Sequence, residues 1–371
     1  MSDIALVKLL LKNKLCIYKL FIKETLARFR PEKKSIIQQY PKVIQFPITY
    51  KCNFDCIMCG MRSLITKQDF SLEELDIVLS DKLFSRVESV GVNGGEPFLR
   101  NDIVKCIEVM ISRLPLLKNI NIISNGYYTD NIISKISEIK KLCNPKNIAL
   151  NLDVSVDAYG ELQDYMRGAK NAWTNVNRTI DLIKEEQECL CDHLGVITTI
   201  TPKNIYNIIE VEEWAKEKKL DVAFNIATVN ERINNKYKIN NFSFEVDMKA
   251  KKLCQEFFYR KFFEEQSPEK SKRYFGIYLL LCYGKRYAPC ECQENEWVTL
   301  TPDLNVSYCA THSKILGSAL EKSSYDIFNE NISYLNELKN KYCSNCSHYL
   351  YRLNREGLVL YYKECRRIRK L

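Results

Sequence analysis

Only three histidines, His193, His312 and His348, occur in the 371 residues of this chain. So few imidazoles argue against histidine-based acid–base catalysis. No stretch reaches the roughly 20 consecutive apolar residues that a membrane-spanning helix needs. Near the N-terminus Ile4–Val7 and Leu9–Leu11 are apolar, but Lys8, Lys12 and Lys14 interrupt them, so no secretory signal is read there. Low-complexity tracts, long repeats and aromatic-and-basic stacking motifs are missing as well. These absences point to a cytoplasmic protein. One residue type, by contrast, is abundant: there are sixteen cysteines. In a secreted chain they would suggest disulfides; here they read as metal ligands plus buried thiols.

A hydrophobic content of 46% and a charged content of 27% are those of a globular protein large enough for one large or two ordinary domains. The net charge of +9 is unevenly spread, with net +6 in residues 1–34, net +5 in residues 349–371 and net −2 between them. Residues 4–29 place Ile4, Val7, Leu11, Leu15, Tyr18, Phe21, Ile22, Leu26 and Phe29 at a helical period with lysines between. Two readings stand. The helix packs outside the core with its lysines solvated, or its basic face docks on an anionic partner or a membrane surface.

From residue 43 a short β-branched run, a polar loop and an amphipathic helix alternate. Strands are expected at Val43–Thr49, Ser89–Asn93, Asn119–Ser124, Ile148–Val156, Gly195–Thr201 and Val222–Ile226. Helices are expected near 71–86, 101–113, 129–142, 172–189, 203–219 and 244–265, with a capping box at Ser71 and Glu74 and an N-cap at Asn101-Asp102. Six β-then-α units call for an α/β fold with a parallel sheet. Six are too few for a closed eight-stranded barrel, so the expectation is an open, partial (β/α)6 barrel. The Asn- and charge-rich stretch 230–241 reads as a boundary or surface insertion. The expected divisions are a basic N-terminal helical segment (1–42), the partial barrel (43–228), a helical connection (229–280) and a small Cys-rich domain (281–371).

Chemistry-bearing residues fall at successive strand ends, where parallel α/β barrels gather ligands. Cys52, Cys56 and Cys59 follow the first strand in a C-x3-C-x2-C run. Three thiolates on one loop can hold a [4Fe–4S] cube and leave one iron open for a non-protein ligand; a partial zinc site is the competing use. Gly94, Gly95 and Glu96 close the second strand, where paired glycines allow close backbone approach and the carboxylate can accept from an ammonium. Ser124-Asn125-Gly126 closes the third. Ser155 and Asp157 close the fourth, offering a hydroxyl and a carboxylate suited to a ribose diol. Arg167 follows and could pair with a carboxylate, and Thr198 and Thr199 lie near the end of the fifth.

Taken together, residues 43–227 resemble the core of the radical S-adenosylmethionine (SAM) superfamily. The resemblance implies that Cys52, Cys56 and Cys59 bind the cluster. Gly94, Gly95 and Glu96 would hold the methionyl amino group, Ser155 and Asp157 the ribose, and Arg167 the SAM carboxylate, with Asn125 among the cofactor-binding residues. Met58 stands where the family often has an aromatic residue; its backbone could still reach the adenine. The implied chemistry is reductive cleavage of SAM to a 5′-deoxyadenosyl radical that abstracts a hydrogen atom from an unactivated C–H bond, with a flavodoxin or ferredoxin as electron donor.

Cys290, Cys292, Cys309, Cys343 and Cys346 form a second group. The segment 301–309 resembles the turn-and-strand element of SPASM and twitch domains, which bind auxiliary [4Fe–4S] clusters. The usual turn glycine is replaced by Leu304 or Asn305. No cysteine occurs from Ser347 to Glu364, so a single twitch-like cluster is implied, held by Cys309, Cys343, Cys346 and one of Cys290 or Cys292. A zinc site using Cys343, Cys346 and His348 or upstream cysteines is the alternative. Cys16, Cys106, Cys143, Cys189, Cys191, Cys254, Cys282 and Cys365 read as buried or incidental thiols.

The implied function is that of a radical SAM oxidoreductase or maturase. Its substrate is read first as a ribosomal peptide and otherwise as a sugar or aminocyclitol undergoing oxidation or epimerisation. A non-catalytic metal- and nucleic-acid-binding protein is the remote reading, resting only on the basic ends.

Overall fold

The computed structural model describes residues 40–290, 292, 296–348, 350 and 352–368. The helix read over residues 4–29, and Cys16, lie outside them. The described residues divide into two compact units, 40–253 with 292 and 296–344, and 254–290 with 345–348, 350 and 352–368.

The larger unit is built on one sheet. Strands β1 (Val43–Pro47), β2 (Ser89–Asn93), β3 (Asn119–Ser124), β4 (Ala149–Ser155), β5 (His193–Ile200) and β6 (Asp221–Ile226) fall within a few residues of their expected positions. Helices α1 (Leu72–Leu79), α2 (Ile103–Arg113), α3 (Thr129–Cys143), α4 (Glu161–Arg167), α5 (Ala172–Glu185), α6 (Gln187–Leu190) and α7 (Ile208–Glu217) alternate with them. Consecutive strands pair in parallel, as crossovers through helices require. The sheet continues past β1 into three strands: β7 (Trp297–Leu300) lies parallel to β1, then β8 (Asn305–Ser307) and β9 (Gly317–Ser318) follow antiparallel. Among the described residues, the order β6-β5-β4-β3-β2-β1-β7-β8-β9 leaves the sheet open at both ends.

Parallel strands buried on both faces read as continuous apolar runs. These alternate instead. Val90, Val92, Ile120, Ile122, Leu150, Leu152 and Val154 are fully buried in the helix-covered core, whereas Gly91, Asn93, Asn121, Asn151, Asp153 and Ser155 on the other face keep partial exposure. That second face is polar. Asn151 Nδ2 donates to Asn121 Oδ1 (2.9 Å), and Asn121 Nδ2 donates to Ser89 Oγ (3.0 Å), linking three strands on the open side.

Local signals were mostly kept. The Ser71–Glu74 capping box forms at the start of α1. Asp102 does stand at the N-cap of α2, but its carboxylate caps nothing; it grips Arg100 through Nε (2.7 Å) and Nη2 (3.1 Å), because the buried guanidinium competes better for it than a backbone N–H. In the turn before β8 the left-handed residue is Leu304, at φ 55°, not Asn305. Its side chain is fully buried, and that burial offsets the strain of a positive φ.

The stretch 230–241 is largely exposed, Tyr237 and Ile239 included, but Asn235 within it is buried. It leads into the short helix α8 (Ile239–Phe242) and folds back onto the cysteine loop, as described below. Helix α9 (Met248–Glu264) follows. Within the smaller unit, α10 (Pro268–Tyr283) lacks an amphipathic period because it is buried along most of its length from Ser271 to Leu281. Phe262, Phe275 and Tyr361 of α13 (Arg355–Ile368) form the aromatic centre of this unit, with ring centroids 4.7–5.6 Å apart. The larger unit also contains α11 (Ser324–Glu330) and α12 (Ile332–Tyr342), with Ser323 Oγ and the Tyr325 N–H both donating to Asp81.

Candidate active site

The cysteine loop starts from a fixed base. Asp69 accepts from Thr49 Oγ1 (2.6 Å) and from the Tyr50 N–H (2.8 Å), while the Tyr50 hydroxyl donates to Asp303 (2.7 Å). Each loop sulfur then has a donor. Cys52 Sγ accepts from the Phe54 N–H (3.4 Å), Cys59 Sγ from the Met61 N–H (3.5 Å), and Cys56 Sγ faces Arg167 Nη1 at 3.9 Å. Burial pushes the Cys52 and Cys56 thiols up to about 12 and raises Cys59 as well. Thiolates at this depth need a cation to hold them, which is what a metal cluster supplies.

The loop backbone is tied down from several sides. Arg62 Nη1 donates to Cys52 O (3.0 Å), Lys238 Nζ to Cys56 O (3.0 Å), Asn241 Nδ2 to Ile57 O (3.1 Å) and Asn235 Nδ2 to Met58 O (2.9 Å). Lys238 also pairs with Asp55 (2.5 Å). Three of these four donors come from the 230–241 segment, and sequence reading missed all three. No local signal joins that segment to a loop 177–184 residues earlier in the chain. Glycines allow the remaining contacts. A Cβ on Gly60 would lie 2.3 Å from Asn234 O, and one on Gly95 would lie 1.9 Å from Lys51 O. The close approach permitted at Gly95 is therefore between β2's end and the cysteine loop.

A cleft of about 300 Å³ opens at the carboxyl ends of the strands, near the lower end of the size range of ligand pockets. Cys52, Cys56, Cys59, Gly94, Gly95, Asn125, Ser155, Asp157 and Arg167 all line it, as do Met58, Asn93 and Thr199. Glu96 does not line it. Its carboxylate is buried and committed to the protein: Oε1 accepts from the Phe98 N–H (3.1 Å) and Ser124 Oγ (2.9 Å), and Oε2 from the Asn125 N–H (2.7 Å). Burial raises its pKa to about 7 against the lowering effect of those donors. Glu96 thus latches β2's end to the β3 loop, where Asn125 Nδ2 reaches Asn53 Oδ1 (2.8 Å) of the cysteine loop.

Asp157 is fully buried and held in place. Oδ1 accepts from the Thr199 N–H (2.8 Å), Gln163 Oε1 accepts from the Asp157 and Ala158 N–H groups (2.9 and 3.1 Å), and Asn204 Nδ2 donates to Asp157 O (2.7 Å). Its Oδ2 lies 2.9 Å from Arg167 Nη2 as an ion pair, without the alignment of a hydrogen bond. Burial raises the pKa of Asp157, and the guanidinium opposes that rise. Asp157 Oδ2, Arg167 Nε and Asn93 Oδ1 are buried polar atoms with no hydrogen-bond partner in the protein. A cleft bringing three thiols together with two unsatisfied acceptors and one unsatisfied donor fits a cluster with a polar ligand carrying amino, carboxylate and hydroxyl groups.

The second cysteine group shares one local feature with the first. Cys309 Sγ accepts from the His312 N–H (3.4 Å) in the larger unit, and Cys346 Sγ from the His348 N–H (3.4 Å) in the smaller. His312 is stacked on Tyr342 (centroids 5.1 Å apart) and its pKa is lowered by burial. In the smaller unit the buried Arg286 donates to the carbonyls of Ala288, Pro289, Cys346 and His348, joining the segments that carry Cys290 and Cys346. Cys292 and Cys343 belong to the larger unit. Among the described residues, no three His, Cys, Asp or Glu side chains gather about a single-ion position. Of the remaining cysteines, Cys106, Cys143, Cys191 and Cys254 are buried, Cys365 is half-buried, and Cys189 and Cys282 are exposed.

Comparison with known proteins bears on this geometry. Residues 46–211 match the profile of the Radical SAM superfamily. The GTP 3′,8-cyclase of Alkaliphilus oremlandii is 27% identical over 206 residues, which are 52% of this chain and 58% of that protein. The probable GTP 3′,8-cyclase of Methanocaldococcus jannaschii is 26% identical over 136 residues, 35% of this chain and 44% of that protein. The chain thus spans about half the length of the curated relatives it matches. Among solved structures, anSMEcpe with bound AdoMet and Cp18Cys peptide aligns with a TM-score of 0.56 at 18% identity, covering 88% of this chain and 95% of that one. Streptococcus suis SuiB bound to precursor peptide SuiA aligns at 0.54 and 14% identity, covering 85% and 76%. At such identities the likeness is one of fold.

Proposed function

Because the chain belongs to the radical SAM superfamily through residues 46–211, we propose that it is an enzyme using a [4Fe–4S] cluster on Cys52, Cys56 and Cys59 together with SAM. The carrying observation is the single cleft lined by all three thiols and by Gly94, Gly95, Asn125, Ser155, Asp157 and Arg167. When bound, the cofactors supply one-electron cleavage of SAM and hydrogen-atom abstraction from substrate. The protein's part is placement. Asn235, Lys238 and Asn241 fix the loop carbonyls, Glu96 fixes Asn125, and Gln163 and Asn204 fix Asp157. Ser155 and Asp157 face the ribose in this reading, and Arg167 the carboxylate.

An auxiliary cluster drawing on the second group of cysteines completes the reading, serving electron transfer or substrate binding. The N–H···S contacts at Cys309 and Cys346 support it, since such donors accompany metal-bound sulfur. Arg286, shared between the Cys290 and Cys346 segments, favours Cys290 over Cys292. The enzyme would work in the cytoplasm with a flavodoxin or ferredoxin as reductant; no helix of the described residues is long and apolar enough to cross a membrane.

For the substrate, a peptide is supported by the fold shared with anSMEcpe and SuiB, both solved with peptides. A sugar or aminocyclitol is the second reading, favoured by the polar open face carrying Asn93, Asn121, Asn151 and Asp153. Anaerobic reconstitution with iron counting tests the cofactor assignment. About eight irons supports two clusters, about four supports one, and about twelve contradicts a single auxiliary cluster. A precursor peptide or a cyclitol that raises 5′-deoxyadenosine formation decides the substrate.

A further inference from the structure

The three sulfurs of the loop are not treated alike. Cys52 and Cys59 each receive a neutral backbone N–H, whereas Cys56 faces the charged guanidinium of Arg167 at 3.9 Å. Two devices keep that guanidinium in place. Arg167 ends α4, and the left-handed cap that follows, Gly168 at φ 60°, sits so close to the loop that a Cβ there would lie 2.3 Å from Asp55 O. On the far side, Arg167 Nη2 meets Asp157 Oδ2 at 2.9 Å, and the Asp157 backbone is locked by Gln163 and Asn204. The result is a buried row of carboxylate, guanidinium and sulfur, in which charges are weakly screened.

Resting on the function proposed above, we infer that Arg167 and Asp157 form a charge-balanced pair that sets the reduction potential of the cluster through Cys56 Sγ. The oxidised cluster gains one electron from an external reductant, dithionite in the test below. A positive charge at a ligand sulfur favours the reduced form and raises the potential; a negative charge lowers it. Cleaving a sulfonium takes a strongly reducing electron. A lone arginine would make the cluster easier to reduce and a weaker donor, and Asp157 cancels that effect. Both residues are tuning residues in this account, whatever contacts they also make to SAM.

The test is a redox titration followed by electron paramagnetic resonance on reconstituted full-length protein without SAM, reading the signal that a Cys56→Ala protein lacks. Arg167→Gln is expected to shift the midpoint to more negative potential, and Asp157→Asn to less negative potential. The double variant should return close to wild type, and Arg167→Lys, which keeps the charge, should lie nearer wild type than Arg167→Gln. Shifts of both single variants in the same direction, or no shift in either, overturn the inference. If Arg167→Gln fails to fold, the sign for Asp157→Asn alone decides it. If wild-type protein shows no signal that depends on Cys56, the function proposed above fails too, an outcome distinct from a signal with the wrong shifts.

Discussion

Gly95→Ala should cripple the cysteine loop although Gly95 has an ordinary backbone φ. The added Cβ would lie 1.9 Å from Lys51 O, 2.5 Å from Lys51 C and 3.1 Å from Cys52 N. Ordinary contact begins at 3.4 Å, so β2's end and the loop would have to part by about 1.5 Å. Both sides are backbone, joined by Gly95 N–H to Thr49 O and Glu96 N–H to Lys51 O at 2.8 Å each, so no flexible side chain can yield. Losing both bonds with their partners still partly buried costs about 1–3 kcal/mol each, or about 4 kcal/mol together. Gly160→Ala is the control. Gly160 has nothing within 4 Å of an added Cβ, so that variant pays only backbone strain, about 1–3 kcal/mol for a φ of 60° with ψ −141° that glycine alone adopts readily. Urea unfolding of the apoprotein and iron bound after reconstitution measure both. Gly95→Ala should lose most of its stability and loop iron while Gly160→Ala keeps full iron. Equal behaviour of the two would refute the packing argument.

Other consequences are open to measurement. Glu96, raised to about 7 from 4.5 by burial, binds its proton more tightly in the folded protein than in the unfolded chain. Its contribution is full below pH 4.5 and falls through pH 7, by about 3 kcal/mol in all; Glu96→Gln should flatten that part of the apoprotein's stability profile, and an unchanged slope would contradict the latch. Asn235→Ala removes donors to Met58 O and Thr228 O and the acceptor of the Asn230 N–H, costing about 2–3 kcal/mol and speeding iron loss to a chelator. Wild-type iron retention would refute that role. Leu304→Gly relieves about 1 kcal/mol of strain but loses a fully buried side chain, so a net loss of about 1–3 kcal/mol in thermal unfolding is expected.

Where local rules govern, the sequence was informative. Apolar residues with period 2, followed by helices with period 3.6, located the six core strands, because Val90, Ile120 and Leu150 must face helices to be buried at all. The three thiols, Gly94–Gly95, Asn125, Ser155, Asp157 and Arg167 were legible because strand ends are sequence-local and the cleft gathers them. What was illegible was relational. Nothing local shows that β7 pairs with β1 across some 250 residues, or that Asn235 reaches Met58 O. Glu96 was legible as a residue, but two of its three protein donors lie 28 and 29 residues away and leave no local signal. Helix α10 escaped because a helix buried along most of its length loses its period.

The central claim is that the Cys52–Cys59 loop makes this chain cleave SAM. Its most direct test is 5′-deoxyadenosine formation by anaerobically reconstituted protein with SAM and dithionite, wild type beside the variant with Cys52, Cys56 and Cys59 all changed to Ala. The account predicts product from wild type and none above background from the variant. Product from the triple variant, or none from iron-loaded wild type, contradicts it.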